Sequence, residues 1–165
     1  MVICKKAQPE DLEVLTFAII RMNAKFDCKT GSIIASSNKT ITKSEISEYM
    51  NHMYYLYDTE LNTIVAVICG CRCDRTENIN DPMNSVMISM KRYEIKYFVH
   101  QLCDEESLIN LVREFLADMN DFPTIYKTKV TNEDTKKALR ANNFVYNDYL
   151  KIFIRLPIAN TSVIW

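Results

Sequence analysis

Glycine occurs only twice in this 165-residue chain, at Gly31 and Gly70, and neither stands where a phosphate-binding turn could begin. Glycine lets a backbone fold tightly enough to aim several N–H groups at one anion. Its scarcity argues against the P-loop and the G-x-G-x-x-G dinucleotide turn before any other test.

The length suits one compact domain with a real core and is too short for two comfortable ones. Apolar residues make up 48% of the chain and charged ones 25%, the balance of an ordinary globular protein. A formal net charge of −1 predicts no general attraction to nucleic acid or to an anionic membrane. The densest basic spot, Lys91, Arg92 and Lys96, reads as a solvated strand edge. The first residues show no long apolar h-region, and no apolar run approaches the length of a membrane span. The six cysteines are then expected as thiols, and the expected location is intracellular and cytoplasmic.

Hydrophobic spacing gives the elements. Val2 to Lys6 suits a strand, and Pro9-Glu10-Asp11 opens a helix predicted over residues 9 to 23. Leu12, Leu15, Ile19 and Met22 mark its buried face, with Val14, Phe17 and Ile20 broadening it. Residues 24 to 42 read as loop, and Thr42 with Glu45 has the spacing of a capping box for a short helix. Tyr54 to Asp58 and Thr63 to Cys73 read as strands joined by a tight turn. Residues 74 to 84 read as a second polar loop, and Val86 to Leu102 as a long strand region. Asp104-Glu105-Glu106 opens a strongly amphipathic helix carrying Leu108, Leu111, Val112, Phe115, Leu116 and Met119. Thr124 to Val130 is a predicted strand, Asn132 to Ala141 a helix, and Phe144 to Leu156 one or two last strands. The order β-α-α-β-β-β-α-β-α-β-β predicts an α/β fold with helices on a mixed sheet.

That order, the length and three local phrases resemble the GCN5-related N-acetyltransferase (GNAT) family. Ile3 to Asp11 resembles its first strand and the A-x-P-E-D start of its first helix. Tyr54 to Gly70 resembles the central hairpin, with Ile68-Cys69-Gly70 near a common G-x step. Asn132 through Phe144 resembles N-x-x-A-x-x-L-Y-x-x-x-G-F, with Asn143 in place of the glycine. The likeness covers most of residues 2 to 156 and implies one GNAT-like domain over 1–165. Its mixed, mostly antiparallel sheet would be flanked by helices, with 156–165 as a C-terminal tail.

The resemblance implies acetyl-CoA as cofactor, lying along the strand of Phe98 and Val99, and no metal. Its pyrophosphate would sit on a Q/R-x-x-G-x-G/A turn at the next helix start. A gapless placement puts Asp104 where the family has a cation, and Ser107 and Ile109 at the two glycine positions. Like charges at contact range cost about 1–4 kcal/mol in partly screened surroundings, so this acidic start is a poor neighbour for a diphosphate. The family's acid tyrosine corresponds to Leu139, which donates no proton. Tyr146 and Tyr149 lie just downstream as substitutes, or as packing residues. Asn132 either bonds the pantetheine arm or caps the helix that follows. His100, and after it Glu94, are the candidate bases for an acceptor amine.

Cys69, Cys71 and Cys73 alternate on one strand face, about 6–7 Å apart along it, too far for two of them to share one zinc. Cys103 stands at an acidic helix start, which opposes a lowered thiol pKa. The tail's Val163-Ile164-Trp165 suits strand addition to a protein partner, or docking on its own sheet or a twin subunit.

Two classes of function follow. One is a GNAT-fold binding or regulatory module without ordinary acetyl transfer. The other is an active acetyl-CoA-dependent N-acetyltransferase with a non-standard cofactor site, acting on a small amine or a protein amine. Cradle and acid are absent together, which favours the first.

Overall fold

A computed structural model describes residues 1–27, 32–35, 41–81, 86–118, 124–130 and 132–156, with backbone alone at 24–27, 32–35, 74–81 and 86–90. The elements in chain order are β1 (Val2–Lys6), α1 (Leu12–Met22), β2 (Ala24–Asp27), β3 (Ser32–Ala35), α2 (Lys43–Tyr49), β4 (Met53–Asp58), β5 (Thr63–Asp81), β6 (Val86–His100), α3 (Glu105–Ala117), β7 (Thr124–Thr128), α4 (Glu133–Ala141), β8 (Val145–Asn147) and β9 (Ile152–Arg155). Among the described residues, seven strands form one sheet in the order β1-β4-β5-β6-β7-β9-β8, and β2 and β3 form a separate hairpin. Every neighbouring pair in the large sheet is antiparallel except β6 and β7. No helix among the described residues is long and apolar enough to cross a membrane.

Two buried clusters sandwich the sheet. On one face α3 inserts Leu108, Leu111, Val112, Phe115 and Leu116 against Leu56, Tyr93, Ile95 and Phe153, with Ala138 and Leu139 of α4 beside them. Each fully buried side chain of this size contributes about 1.5–3 kcal/mol, so α3 is the main anchor of that layer. On the other face Leu15, Ala18 and Ile19 of α1 pack with Ile46, Met53, Val67 and Cys69.

Helix ends follow the sequence closely. The Thr42 hydroxyl accepts the Glu45 N–H, the N-cap half of the expected capping box, while the Glu45 carboxylate accepts from the Tyr97 hydroxyl. Asn143 adopts φ 70° just past α4, and its N–H bonds the Arg140 carbonyl. Asparagine tolerates this left-handed position, which explains how it stands where the family pattern has glycine.

Several expectations change. The stretch read as loop over 24 to 42 contains the β2–β3 hairpin, and the loop expected over 74 to 84 is strand as far as Asp81. In the latter, β6 supplies a backbone ladder to a polar sequence, pairing Ile79 with Ile88 and Asp81 with Val86. Lys91, Arg92 and Lys96 lie on a central strand, not an edge. The predicted 9–23 helix begins with a separate 3-10 turn at Pro9–Asp11. Val14, Phe17 and Ile20 do not broaden the buried face of α1; they are 60%, 66% and 43% exposed. The segments 82–85 and 157–165, with most of the expected tail, lie outside the described residues.

Gly70 has a role of its own. A Cβ there would lie 2.0 Å from the Glu94 carbonyl oxygen, so β5 and β6 approach too closely for any side chain. The register slips at this point: Cys69 pairs with Tyr97 but Gly70 with Ile95, leaving Lys96 as an extra residue in β6.

Candidate functional site

Past the bulge at Lys96, β6 leaves its parallel partner. Pairing with β7 stops at Ile95 and Thr128, whereas pairing with β5 continues from Tyr97 to His100. A gap therefore opens beside residues 96–100 on the β7 side. Phe98 is buried beneath α3, and Val99 packs toward the opposite layer, so it is their backbone that borders the gap. The Thr128 hydroxyl, at the apex, donates to the Ile95 carbonyl at 3.2 Å.

The far end of the gap is bridged. Asn132 caps α4, its Oδ1 accepting the N–H groups of Asp134 and Thr135 at 2.9 and 3.2 Å. The same oxygen lies 3.0 Å from His100 Nε2. An amide oxygen only accepts, so Nε2 carries the proton and the imidazole lone pair sits on Nδ1. Nδ1 is buried and has no partner among the described residues. The Asp134 carboxylate stands 3.8 Å from Nε2 on the outer side. His100 is thus held by α4 as a strut between β6 and the helix start, with its basic nitrogen turned away from solvent. Asn132 serves as the N-cap, one of its two expected roles.

The entrance to α3 is also closed by its own side chain. The chain turns out of β6 through Leu102 at φ 55°, a left-handed conformation that costs about 1–2 kcal/mol without glycine. Asp104 then caps the helix: its carboxylate accepts the Ser107 N–H at 3.1 Å and the Ser107 hydroxyl at 2.6 Å. These bonds hold the Asp104 carboxyl below its usual pKa. The helix end that would greet an anion already holds one, with Glu105 and Glu106 in the same turn. Ile109 packs against the core, so side chains fill both positions where the family pattern has glycine. The residues present do not fit a diphosphate at this turn. Burial, helped by Asp104 and Asp58, pushes the neighbouring Cys103 thiol up to about 11, against any role as a thiolate.

The remaining candidates do not converge. Glu94 is six residues before His100, on the order of 20 Å along the strand. It is clamped between Arg92 and Lys96, the latter at 2.6 Å, and the Lys96 hydrogen bond in particular lowers its pKa. A carboxylate so paired is a weak base. Tyr146 packs at a tilt against Phe153 with ring centroids 5.2 Å apart, and Tyr149 is 91% exposed in the turn between β8 and β9. β8, which carries Tyr146, is three strand positions from β6, roughly 14 Å across the sheet. Cys69 and Cys71 both face the α1 layer, and no group of residues suited to hold a metal occurs among those described. The His100–Asn132 bridge and the Asp104 cap are what residue types alone did not reveal as a pair. A polar residue at each helix start was the available signal.

No family model matches the chain, and no curated protein sequence matches it. Solved structures do. An N-acetyltransferase from Staphylococcus aureus Mu50 aligns over 93% of this chain and 94% of its own, with a TM-score of 0.52 and 16% identity. The GNAT-family acetyltransferase from Streptococcus pneumoniae aligns over 93% and 96%, with a TM-score of 0.55 and 11% identity. Arabidopsis thaliana Naa50, in complex with the bisubstrate analogue CoA-Ac-MVNAL, aligns over 93% and 95%, with a TM-score of 0.50 and 11% identity. With its mixed sheet, flanking helices and splayed parallel pair, this chain has the fold of the GNAT N-acetyltransferases, in a sequence far diverged from all three.

Proposed function

We propose that this protein is a cytoplasmic binding or regulatory module on a GNAT scaffold, without ordinary acetyl transfer. One observation carries the reading: the first turn of α3 is capped by the Asp104 carboxylate through both the N–H and the hydroxyl of Ser107. A pyrophosphate placed there meets a like charge and finds that donor engaged. The dispersal of Glu94, His100, Tyr146 and Tyr149 supports it, because acid and base must reach one reacting amine. The partner in this reading is another protein.

A second reading rests on the gap beside residues 96–100, where strand backbone is available to a pantetheine arm. In that reading Asn132 releases His100 to serve the arm, and the protein transfers an acetyl group to a small amine or a protein amine.

Calorimetric titration with acetyl-CoA separates the two. The first expects no heat and no thermal shift up to millimolar cofactor. Micromolar binding, with several kcal/mol of stabilisation at large excess, would establish the second instead. Native mass spectrometry of freshly purified protein gives an independent reading through any CoA species carried along.

A further inference from the structure

A cavity of about 600 Å³ lies between α3 and the edge of the sheet at β1 and β4. Sites for small organic molecules occupy about 300–1,000 Å³. The two walls differ in chemistry. The sheet wall is mainly apolar: Val2 and Cys4 of β1 and Leu56 of β4 share one face, Cys4 being paired directly with Leu56. The helix wall is polar: Ser107, Asn110 and Glu114 stand at i, i+3 and i+7 of α3, a row about 10 Å long on one side of the helix.

That row lacks a cation. The Ser107 hydroxyl has given its proton to Asp104 at 2.6 Å and keeps only lone pairs. Asn110 and Glu114 make no hydrogen bond or ion pair among the described residues, and the Lys6 ammonium is committed to Asp118 at 2.7 Å. Burial, helped by the Glu114 carboxylate, pushes the Cys4 thiol up to about 11, so the sheet wall stays uncharged at neutral pH. A carboxylate without a counter-ion, beside further acceptors and across from an apolar wall, fits a ligand with an alkyl body and a donor-only head. An ammonium is such a head, with three N–H donors, no acceptor and one positive charge.

We propose that this cavity binds a primary alkylammonium, its head at Glu114 and Asn110 and its chain along Val2, Cys4 and Leu56. The site is separate from the gap between β6 and β7. β1 and β4 stand three and two strand positions from β6, roughly 14 and 10 Å across the sheet. The ligand is therefore held apart from any acetyl transfer.

Titration of the full chain with n-butylammonium chloride at constant ionic strength, followed by NMR, tests this. Saturable shifts are expected at the Val2 and Cys4 amides and the Asn110 side-chain amide, with a millimolar Kd. Neutral n-butanol is expected to bind at least about tenfold more weakly. Glu114→Gln keeps an acceptor, removes the charge and lies on an exposed helix surface; it is expected to weaken binding at least about tenfold. Asn110→Asp, which adds a second carboxylate, is expected to tighten it. Glu13→Gln, on α1, is expected to change nothing. Melting followed by circular dichroism checks that each variant stays folded. The absence of saturable shifts up to tens of millimolar ligand overturns the proposal, as does n-butanol binding equally well. So does a Glu114→Gln chain that binds like wild type, an Asn110→Asp chain that binds no tighter, or equal weakening by Glu13→Gln.

Discussion

The two helices that flank the gap, α3 and α4, start in contrasting ways. Asp104 caps α3 with a charged group that serves only its own first turn. Asn132 caps α4 with a neutral oxygen that also holds His100 of β6. The helices differ in anchorage as well: α3 buries five apolar side chains, α4 only Ala138 and Leu139. The contrast teaches that one end is shut by charge and the other by a cross-link, so they should yield to different changes.

The largest expected effect tests the anchorage. Phe115→Ala should cost about 3–5 kcal/mol, since Phe115 is fully buried and stacks on His52 at 4.1 Å. Urea denaturation measures it, and a loss under about 1 kcal/mol would break the claim that α3 is the main anchor.

Acid should loosen α3 before α4. Burial lowers the pKa of His52, whose Nε2 donates to the Phe115 carbonyl at 2.9 Å. A histidine depressed in the fold contributes stability that is complete above its unfolded pKa of about 6.5 and is lost as pH falls toward the folded value. Hydrogen exchange below pH 6 should therefore show amides of α3 losing protection first, and His52→Gln should remove that difference. Equal loss in both helices contradicts it.

The cap of α4 is expected to matter next. Asn132→Ala should cost about 1–2 kcal/mol, because two helix N–H groups and His100 all lose one acceptor. Asp104→Ala should cost about 1 kcal/mol or less, in keeping with an exposed cap. If the two losses rank the other way, the bridge to His100 carries no energy.

The smallest stability change sharpens the charge argument. Asp104→Asn keeps a good cap and removes the anion, so stability should move by a few tenths of a kcal/mol. Any residual affinity for acetyl-CoA should rise about tenfold if charge is what shuts the helix end. An unchanged affinity would move the explanation to Ser107 and Ile109.

Much of this was legible in the residues. The periodicity of Leu108 to Leu116 gave α3, and Thr42 with Glu45 gave the start of α2, because both signals are local. The polar run through Asn78 and Asp81 hid a strand, since only pairing with a distant segment makes it one. Val14, Phe17 and Ile20 looked like core because hydrophobic spacing reports apolar character and not what covers it. Asn132 was readable as a cap from its place before a helix. Its link to His100 joins residues 32 apart and exists only once β6 and α4 meet.

The single parallel pairing in the sheet sets an order of assembly. β1, β4, β5 and β6 are stitched antiparallel, and most of their contacts can form while the chain is still emerging. β7 can take its place only after α3 has crossed over and docked. Until then β6 presents an unpaired rim at Lys91 to Ile95, the stretch where nascent copies of this protein would stick to one another.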